Sequence, residues 1–247
     1  MSDFTGKTHI VMVLDRSGSM ASCWDETING INVWKLETLA VPGDYTFSLT
    51  VFDTRIEQPH FDVALQDVPD FTGTEFPPRG STALYDAVAA SVTELEDKIG
   101  QDDRALVVIV TDGQENSSRR WTKEKVRDLV ERLTDTGRWT FTYLSASPSA
   151  WSDAQVIGVA AGNTSTYTAT PVGTQSAWST VAGSTQAYLR SGSSTSMDFY
   201  NGPTGQPPGG AVAPPVRRLT VPPAPDSDDQ STTASPPQSR SSARSRR

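Results

Sequence analysis

Residues 9–19 read His-Ile-Val-Met-Val-Leu-Asp-Arg-Ser-Gly-Ser, an apolar run that passes directly into a polar loop. The run from His9 to Leu14 is rich in β-branched residues, and a continuous run of this kind predicts a strand that is covered on both faces. A second run, Arg104 to Val110, gives the strongest buried-strand pattern in the chain. Two strands of this type indicate a parallel sheet enclosed between layers of helices.

Strand and helix patterns alternate along the rest of the chain, with one exception. Residues 45–52 alternate in polarity, and residues 56–65 follow them as the second strand of a hairpin, in which Pro59 indicates a sheet edge. The spacing predicts further strands at 139–144 and 165–168, and helices at 24–39, from 82, from 122, at 152–161 and at 176–189. We therefore predict an α/β fold, with a doubly wound, mostly parallel sheet and one antiparallel edge strand.

The composition divides the chain into two parts. Ten of the 17 prolines lie at or beyond Pro203, and this region has almost no clusters of aromatic or β-branched residues. Such a segment cannot bury enough apolar surface to offset its chain entropy. We predict a folded domain over residues 1–195 and a disordered Pro-, Ser- and Arg-rich tail over residues 196–247.

The charge divides in nearly the same place. Residues 1–200 carry 15 basic and 26 acidic side chains, a net charge of −11, whereas residues 201–247 carry six Arg and three Asp. An acidic domain argues against nucleic acid as its partner and favours cations. The tail is expected to be solvated, with contact between its terminal arginines and RNA, a membrane or an acidic partner as the alternative.

The cysteine content and the first residues bear on the compartment. Cys23 is the one cysteine of the chain, so no internal disulfide is possible, which fits a reducing compartment. The apolar run at 10–14 is too short for a signal peptide or a membrane span. We expect a cytoplasmic protein without a membrane-spanning segment.

Three polar loops follow or precede the predicted core elements. Asp15-Arg-Ser17-Gly-Ser19 follows the first strand, Thr82 precedes a helix, and Asp112 follows the strand that ends at Val110. In a doubly wound sheet such loops meet beyond the carboxyl ends of the strands. Two carboxylates and three hydroxyls are all oxygen donors, which suits Mg²⁺, with Mn²⁺ or Ca²⁺ as alternatives. Alternate side chains of an extended loop point the same way, so Asp15, Ser17 and Ser19 can reach one ion.

Asp-x-Ser-x-Ser, a Thr before the second major helix and Thr-Asp-Gly after the central strand resemble the metal-ion-dependent adhesion site of von Willebrand factor A (VWA) domains. The phrase at residues 13–20, Val-Leu-Asp-Arg-Ser-Gly-Ser-Met, is typical of intracellular bacterial or phage members. The resemblance covers residues 8 to about 190 and implies a complete metal site, with hydroxyls contacting the ion directly and the aspartates often acting through water. The implied ligands are Asp15, Ser17, Ser19, Thr82 and Asp112.

The donor set favours binding over catalysis. Neutral hydroxyls leave the ion electron-poor, so an Asp or Glu of a partner protein is the expected occupant of an open position. Arg16 and Arg79 are expected to be simply solvent-exposed, with steering of an acidic ligand as the alternative. A hydrolase needs a general base near the ion. His9 starts the first strand and His60 lies in the edge strand, away from the loops. The alternatives are a Mg²⁺-dependent phosphoesterase and an assembly component that uses the tail as a tether.

Overall fold

The computed structural model describes residues 4–201, which contain six strands and five α-helices. The strands are β1 (Thr8–Asp15), β2 (Tyr45–Phe52), β3 (Ile56–Ala64), β4 (Arg104–Thr111), β5 (Trp139–Ser145) and β6 (Thr164–Thr166). The helices are α1 (Trp24–Leu39), α2 (Leu84–Glu96), α3 (Lys123–Asp135), α4 (Ala150–Val156) and α5 (Pro171–Ser191). Strands and helices alternate along the chain except at β2 and β3, which follow one another directly.

The strands form one sheet in the order β3-β2-β1-β4-β5-β6, and every pair is parallel except β2 with β3. The predicted α/β fold with one antiparallel edge strand is confirmed. The strand order reverses direction between β1 and β4, which pair from Thr8 with Arg104 to Leu14 with Val110. A crevice therefore opens beyond the carboxyl ends of these two strands.

Each face of the sheet has its own apolar core. On one face α1 and α5 pack together, and the indole nitrogen of Trp34 donates to the hydroxyl of Thr185 at 3.1 Å. On the other face α2, α3 and α4 cover the sheet. Val88, Val92 and Leu95 of α2 are fully buried, each stabilising the fold by about 1.5–3 kcal/mol. This burial fixes α2, and with it the loop that carries Thr82.

Helix boundaries follow the capping residues more closely than the apolar spacing. The last helix is longer than the predicted 176–189. It begins earlier because Thr170 accepts the amide of Gly173 as N-cap, and it ends at Gly192, which has a φ of 69°. The helix predicted at 152–161 ends early because Gly158 adopts a φ of 82°. The helix predicted from residue 122 begins at Lys123, and Thr122 is its N-cap because its hydroxyl accepts the amide of Lys125.

The packed domain extends past the predicted boundary at residue 195. Phe199 and Tyr200 are buried against Tyr188 and Leu189 on the α1–α5 face, so these two aromatic residues belong to the core and not to the tail. Because Phe199 and Tyr200 belong to no periodic apolar pattern, the sequence alone does not predict this packing. The predicted disorder of the remaining tail, 202–247, lies outside the described residues. Between residues 4 and 201, none of the helices combines the length and hydropathy needed to cross a bilayer.

Candidate metal centre

The topology brings the loops after β1 and β4 together. These two strands are neighbours, and their last paired residues are Leu14 and Val110. Asp15 and Asp112 follow them at the same edge of the sheet. The loop before α2 joins this edge because the amide of Gly18 donates to the carbonyl of Gly80 at 3.2 Å.

Three of the predicted ligands form a continuous chain of hydrogen bonds. The hydroxyls of Ser17 and Ser19 lie 3.1 Å apart, and the Ser19 hydroxyl donates to Oδ1 of Asp112 at 2.7 Å. Thr82 reaches the same group from the loop before α2. A Cβ placed on Gly113 would lie 3.3 Å from Oγ1 of Thr82 and 3.8 Å from Oγ of Ser19, so both hydroxyls flank this glycine.

Asp15 lies beneath this group and is fully buried. Its Oδ1 accepts the amide of Ser17 at 2.6 Å, and its Oδ2 accepts the hydroxyl of Thr111 at 2.6 Å. Both carboxylate oxygens are thus engaged by the protein, which fits a residue that acts on an ion through water or through its charge. The five predicted residues lie in one place, while their assignment as ligands stays a prediction.

The two carboxylates have hydroxyl and amide donors but no cation. Among residues 4–201, neither Asp15 nor Asp112 takes part in an ion pair, and no group of three or more His, Cys, Asp or Glu side chains converges on a metal-sized space. Burial raises the pKa of Asp15 to about 6 and also raises the pKa of Asp112 above its usual range. Oxygen donors around an uncompensated negative charge fit a hard divalent cation.

A partly buried ion-pair cluster joins the loop after β1, which carries Arg16, to the loop before α2, which carries Arg79. Oδ2 of Asp53 accepts from Nε of Arg16 at 3.0 Å and from Nε of Arg79 at 2.8 Å, and both arginines also contact Glu57. Burial opposes the ionisation of Asp53, but these hydrogen bonds and that from the Arg55 amide hold its pKa below the usual range.

Arg16 is neither solvent-exposed nor free to steer an acidic ligand, so both sequence-based interpretations of this residue are wrong. Its side chain is only 2% exposed and is committed to Asp53 and Glu57. Arg79 is 49% exposed but is bound to the same two carboxylates. Sequence reasoning had no signal for this cluster, because Asp53 and Glu57 lie more than 35 residues from Arg16 and show no motif.

The loop after β4 carries two further residues that sequence reasoning missed. The side-chain oxygen of Asn116 accepts the amide of Thr82 at 2.9 Å, and the amide of Asn116 donates to the carbonyl of Thr82 at 3.0 Å. Glu115 accepts the amide of Tyr85 at 3.0 Å in the first turn of α2. Because Asn116 and Glu115 both bind backbone groups at the start of α2, they hold the loop that carries Asp112 at a fixed distance from Thr82.

Neither histidine lies at this centre. His9 is at the opposite edge of the sheet, where Nδ1 lies 2.9 Å from Asp62 and Nε2 lies 3.3 Å from Asp103. The ring of His60 packs edge-on against Phe71 in the region of β3. These positions agree with the expected separation of both side chains from the three loops.

Comparison with known proteins identifies the fold. No protein-family model and no curated protein matches the chain. Among solved structures, proximal thread matrix protein 1 from the mussel byssus is 16% identical with a TM-score of 0.56, over 74% of this chain and 47% of that one. The pilus adhesin SpaC from Lactobacillus rhamnosus GG is 12% identical with a TM-score of 0.59, over 75% and 31% respectively.

A mutant of the PilB minor pilin from Streptococcus sanguinis also matches, at 12% identity and a TM-score of 0.53, over 77% of this chain and 64% of that one. The chain spans less than two thirds of the length of each of these three proteins. The structural neighbours are VWA-domain proteins. Identities of this size show the fold alone, and on that ground the chain has the α/β fold of von Willebrand factor A domains.

Proposed function

We propose that this chain is a divalent-metal-dependent protein-interaction module of the intracellular bacterial or phage VWA type. One observation carries the proposal: the buried carboxylate of Asp15 and the carboxylate of Asp112 have no cationic partner within residues 4–201, and three hydroxyls lie beside them. A buried charge that the protein leaves unpaired is costly, and a bound cation removes that cost.

The proposed ligand set is the one that the sequence pattern implies. The hydroxyls of Ser17, Ser19 and Thr82 would contact the ion. Asp15 and Asp112 would act on it through water and through their negative charge, and Asp112 also accepts the hydroxyl of Ser19. Mg²⁺ is the proposed ion, with Mn²⁺ or Ca²⁺ as alternatives, because all donors are hard oxygens. A divalent cation held there supplies an electrophilic position for a carboxylate oxygen from outside.

The proposed partner is a protein that presents Asp or Glu. Ser19 is exposed and Asp112 is partly exposed, so the centre is open to solvent on the side where a partner would dock. The neighbours named as an adhesin and a matrix protein support an interaction role for this fold. We propose no catalytic role, because both histidines are engaged far from the hydroxyls.

The compartment and the tail remain part of the proposal. Cys23 is buried and unpaired, which supports a reducing compartment such as the cytoplasm. A tethering role for the tail concerns residues outside the described structure.

The first experiment measures Mg²⁺ binding to the full chain by calorimetry. We expect one site in the wild type and no measurable site in Asp112→Ala. Asp128→Ala is the matched control, because it removes one exposed carboxylate from α3, and its Mg²⁺ affinity should equal that of the wild type. Equal binding by wild type and Asp112→Ala would contradict the metal centre.

The second experiment selects from a displayed random-peptide library in Mg²⁺ and elutes with EDTA. The proposal predicts that the eluted peptides share an Asp or Glu. Peptides without a carboxylate, or peptides that EDTA fails to release, would contradict the proposed mode of binding.

A further inference from the structure

A groove of about 480 Å³ begins next to the candidate metal centre. Ala83, which follows Thr82 directly, lines it together with Ile56 and Ala90. The polar residues Thr54, Asp86 and Thr93 line it as well, and Arg119 and Arg120 lie along the same groove with Trp121. A ligand that extends from the metal centre along this groove therefore meets a mixed polar and apolar lining and two arginines.

Besides the exposed Arg55, the arginines at this edge of the sheet form two pairs that differ in their partners. Arg16 and Arg79 are bound to Asp53 and Glu57, which neutralise them. Arg119 and Arg120 are exposed, and within the described part of the chain no carboxylate forms an ion pair with either one. The rest of the domain is acidic, since residues 1–200 have a net charge of −11. Arg119 and Arg120 therefore form a local basic surface on an acidic domain.

The segment that carries these arginines is held rigidly. The carboxylate of Asp86 accepts the backbone amides of Arg119 at 2.8 Å, Arg120 at 3.0 Å and Trp121 at 2.8 Å. Glu115 accepts the amides of Ser117 at 2.8 Å and Ser118 at 2.7 Å. Asp86 keeps its negative charge, but its oxygens are occupied by three backbone amides, and the backbone around the arginines is already ordered. An ordered backbone loses less entropy when a ligand binds.

We propose that Arg119 and Arg120 form a second recognition point for an acidic polypeptide whose first carboxylate is held at the metal centre. This inference rests on the proposed function. A polypeptide fits better than a nucleic acid, because Trp121 is the one aromatic residue among those described that line the groove, and single-stranded nucleic acids bind by stacking successive bases on several aromatic side chains. The partner then presents one carboxylate to the metal centre and at least one more to the arginines.

The test uses fluorescent poly-L-glutamate of about twenty residues as the probe, with acetylated glutamate amide and single-stranded oligo-dT as the other probes. Binding is measured by anisotropy with Mg²⁺ and with EDTA. The variant is Arg119→Ser/Arg120→Ser. The matched control is Lys98→Gln/Arg190→Gln, which removes two exposed positive charges after α2 and in the last turn of α5, at the far edge of the sheet.

We expect Mg²⁺-dependent binding of poly-glutamate that falls at least tenfold in the Arg119→Ser/Arg120→Ser variant and less than twofold in the control. Raising the salt should weaken the wild type more than the arginine variant, because two charge contacts are screened. Mg²⁺ affinity without peptide should be the same in all three proteins.

Each other outcome has a separate meaning. Mg²⁺-dependent binding that is equal in the wild type and the arginine variant overturns the arginine groove and leaves the metal centre standing. Binding that ignores EDTA but depends on the arginines supports the groove and overturns the proposed function. Tighter binding of oligo-dT than of poly-glutamate, or no binding of poly-glutamate at all, overturns the inference.

Discussion

The buried charged groups at the two edges of the central sheet differ in what surrounds them. At the amino edge, His9 lies between Asp62 and Asp103, and Arg104 donates to Oγ1 of Thr8 at 2.9 Å while its guanidinium stacks on Tyr188. These side chains are packed into the fold, although Arg104 has no carboxylate partner within residues 4–201. At the carboxyl edge, Arg16 pairs with Asp53, but Asp15 is fully buried and has only neutral donors.

This difference separates structure from function within one sheet. A hydrogen-bonded side chain that packs against aromatic rings stabilises one arrangement of the chain even when it is charged, whereas a buried carboxylate without a counter-charge destabilises the fold until a cation binds. The amino edge is therefore expected to govern stability. The carboxyl edge is expected to govern affinity for a cation.

The largest effect is expected from Arg104→Ala. The substitution removes the packing of the guanidinium against Tyr188 and its hydrogen bond to Thr8, at a position only 2% exposed, and should lower the free energy of unfolding by about 3 kcal/mol. Urea denaturation in EDTA measures this. Calorimetry should give an unchanged Mg²⁺ affinity, and a loss of affinity would break the division between the edges.

Asp112→Ala is expected to show the reverse pattern. Mg²⁺ affinity should fall at least about 100-fold, equivalent to about 2.8 kcal/mol. Stability in EDTA should change by less than about 0.5 kcal/mol, because the side chain gives up one hydrogen bond but also a charge that burial disfavours. A large loss of stability in EDTA would mean that Asp112 is a structural residue.

Much of this arrangement follows from local sequence, and the rest does not. The strands β1 and β4 are continuous apolar runs, so their burial, their parallel pairing and the meeting of Asp15, Thr82 and Asp112 at one edge follow from strand and helix spacing. Leu36 is different, because it fits the helical spacing of α1 yet is 62% exposed.

Long-range polar contacts are what spacing does not reveal. The pairing of Arg16 with Asp53 joins a loop after β1 to a turn after β2, and the clamp of Asn116 on Thr82 joins the loop after β4 to α2. Neither pair has a periodic pattern, because each depends on the packed sheet for its geometry. The same holds for the buried Phe199 and Tyr200 beyond the predicted boundary.

Mg²⁺ itself should stabilise the protein by a smaller amount. At a free concentration of ten times its dissociation constant, the free energy of unfolding should rise by about 1.4 kcal/mol. In Arg104→Ala the free energy of unfolding is lower, but Mg²⁺ should raise it by the same amount. In Asp112→Ala, Mg²⁺ should leave the free energy of unfolding unchanged. Thermal unfolding with and without Mg²⁺ compares the three, and an equal gain in Asp112→Ala would place the ion elsewhere.

The smallest effect is expected from Gly113→Ala. The added Cβ would lie 3.3 Å from Oγ1 of Thr82, so the hydroxyl must shift by a few tenths of an ångström. Mg²⁺ affinity should fall by about three- to tenfold, or about 0.7–1.4 kcal/mol, with little change in stability in EDTA. Gly183→Ala is the control, because a Cβ there meets nothing within 4 Å.

The most direct test of the shared-cation claim is the anomalous scattering of Mn²⁺ in crystals of the full chain. We expect one strong peak within about 2.5 Å of the hydroxyl oxygens of Ser17, Ser19 and Thr82 and next to Asp112. A peak bound elsewhere, or an ordered carboxyl edge with no peak at saturating Mn²⁺, would contradict that claim.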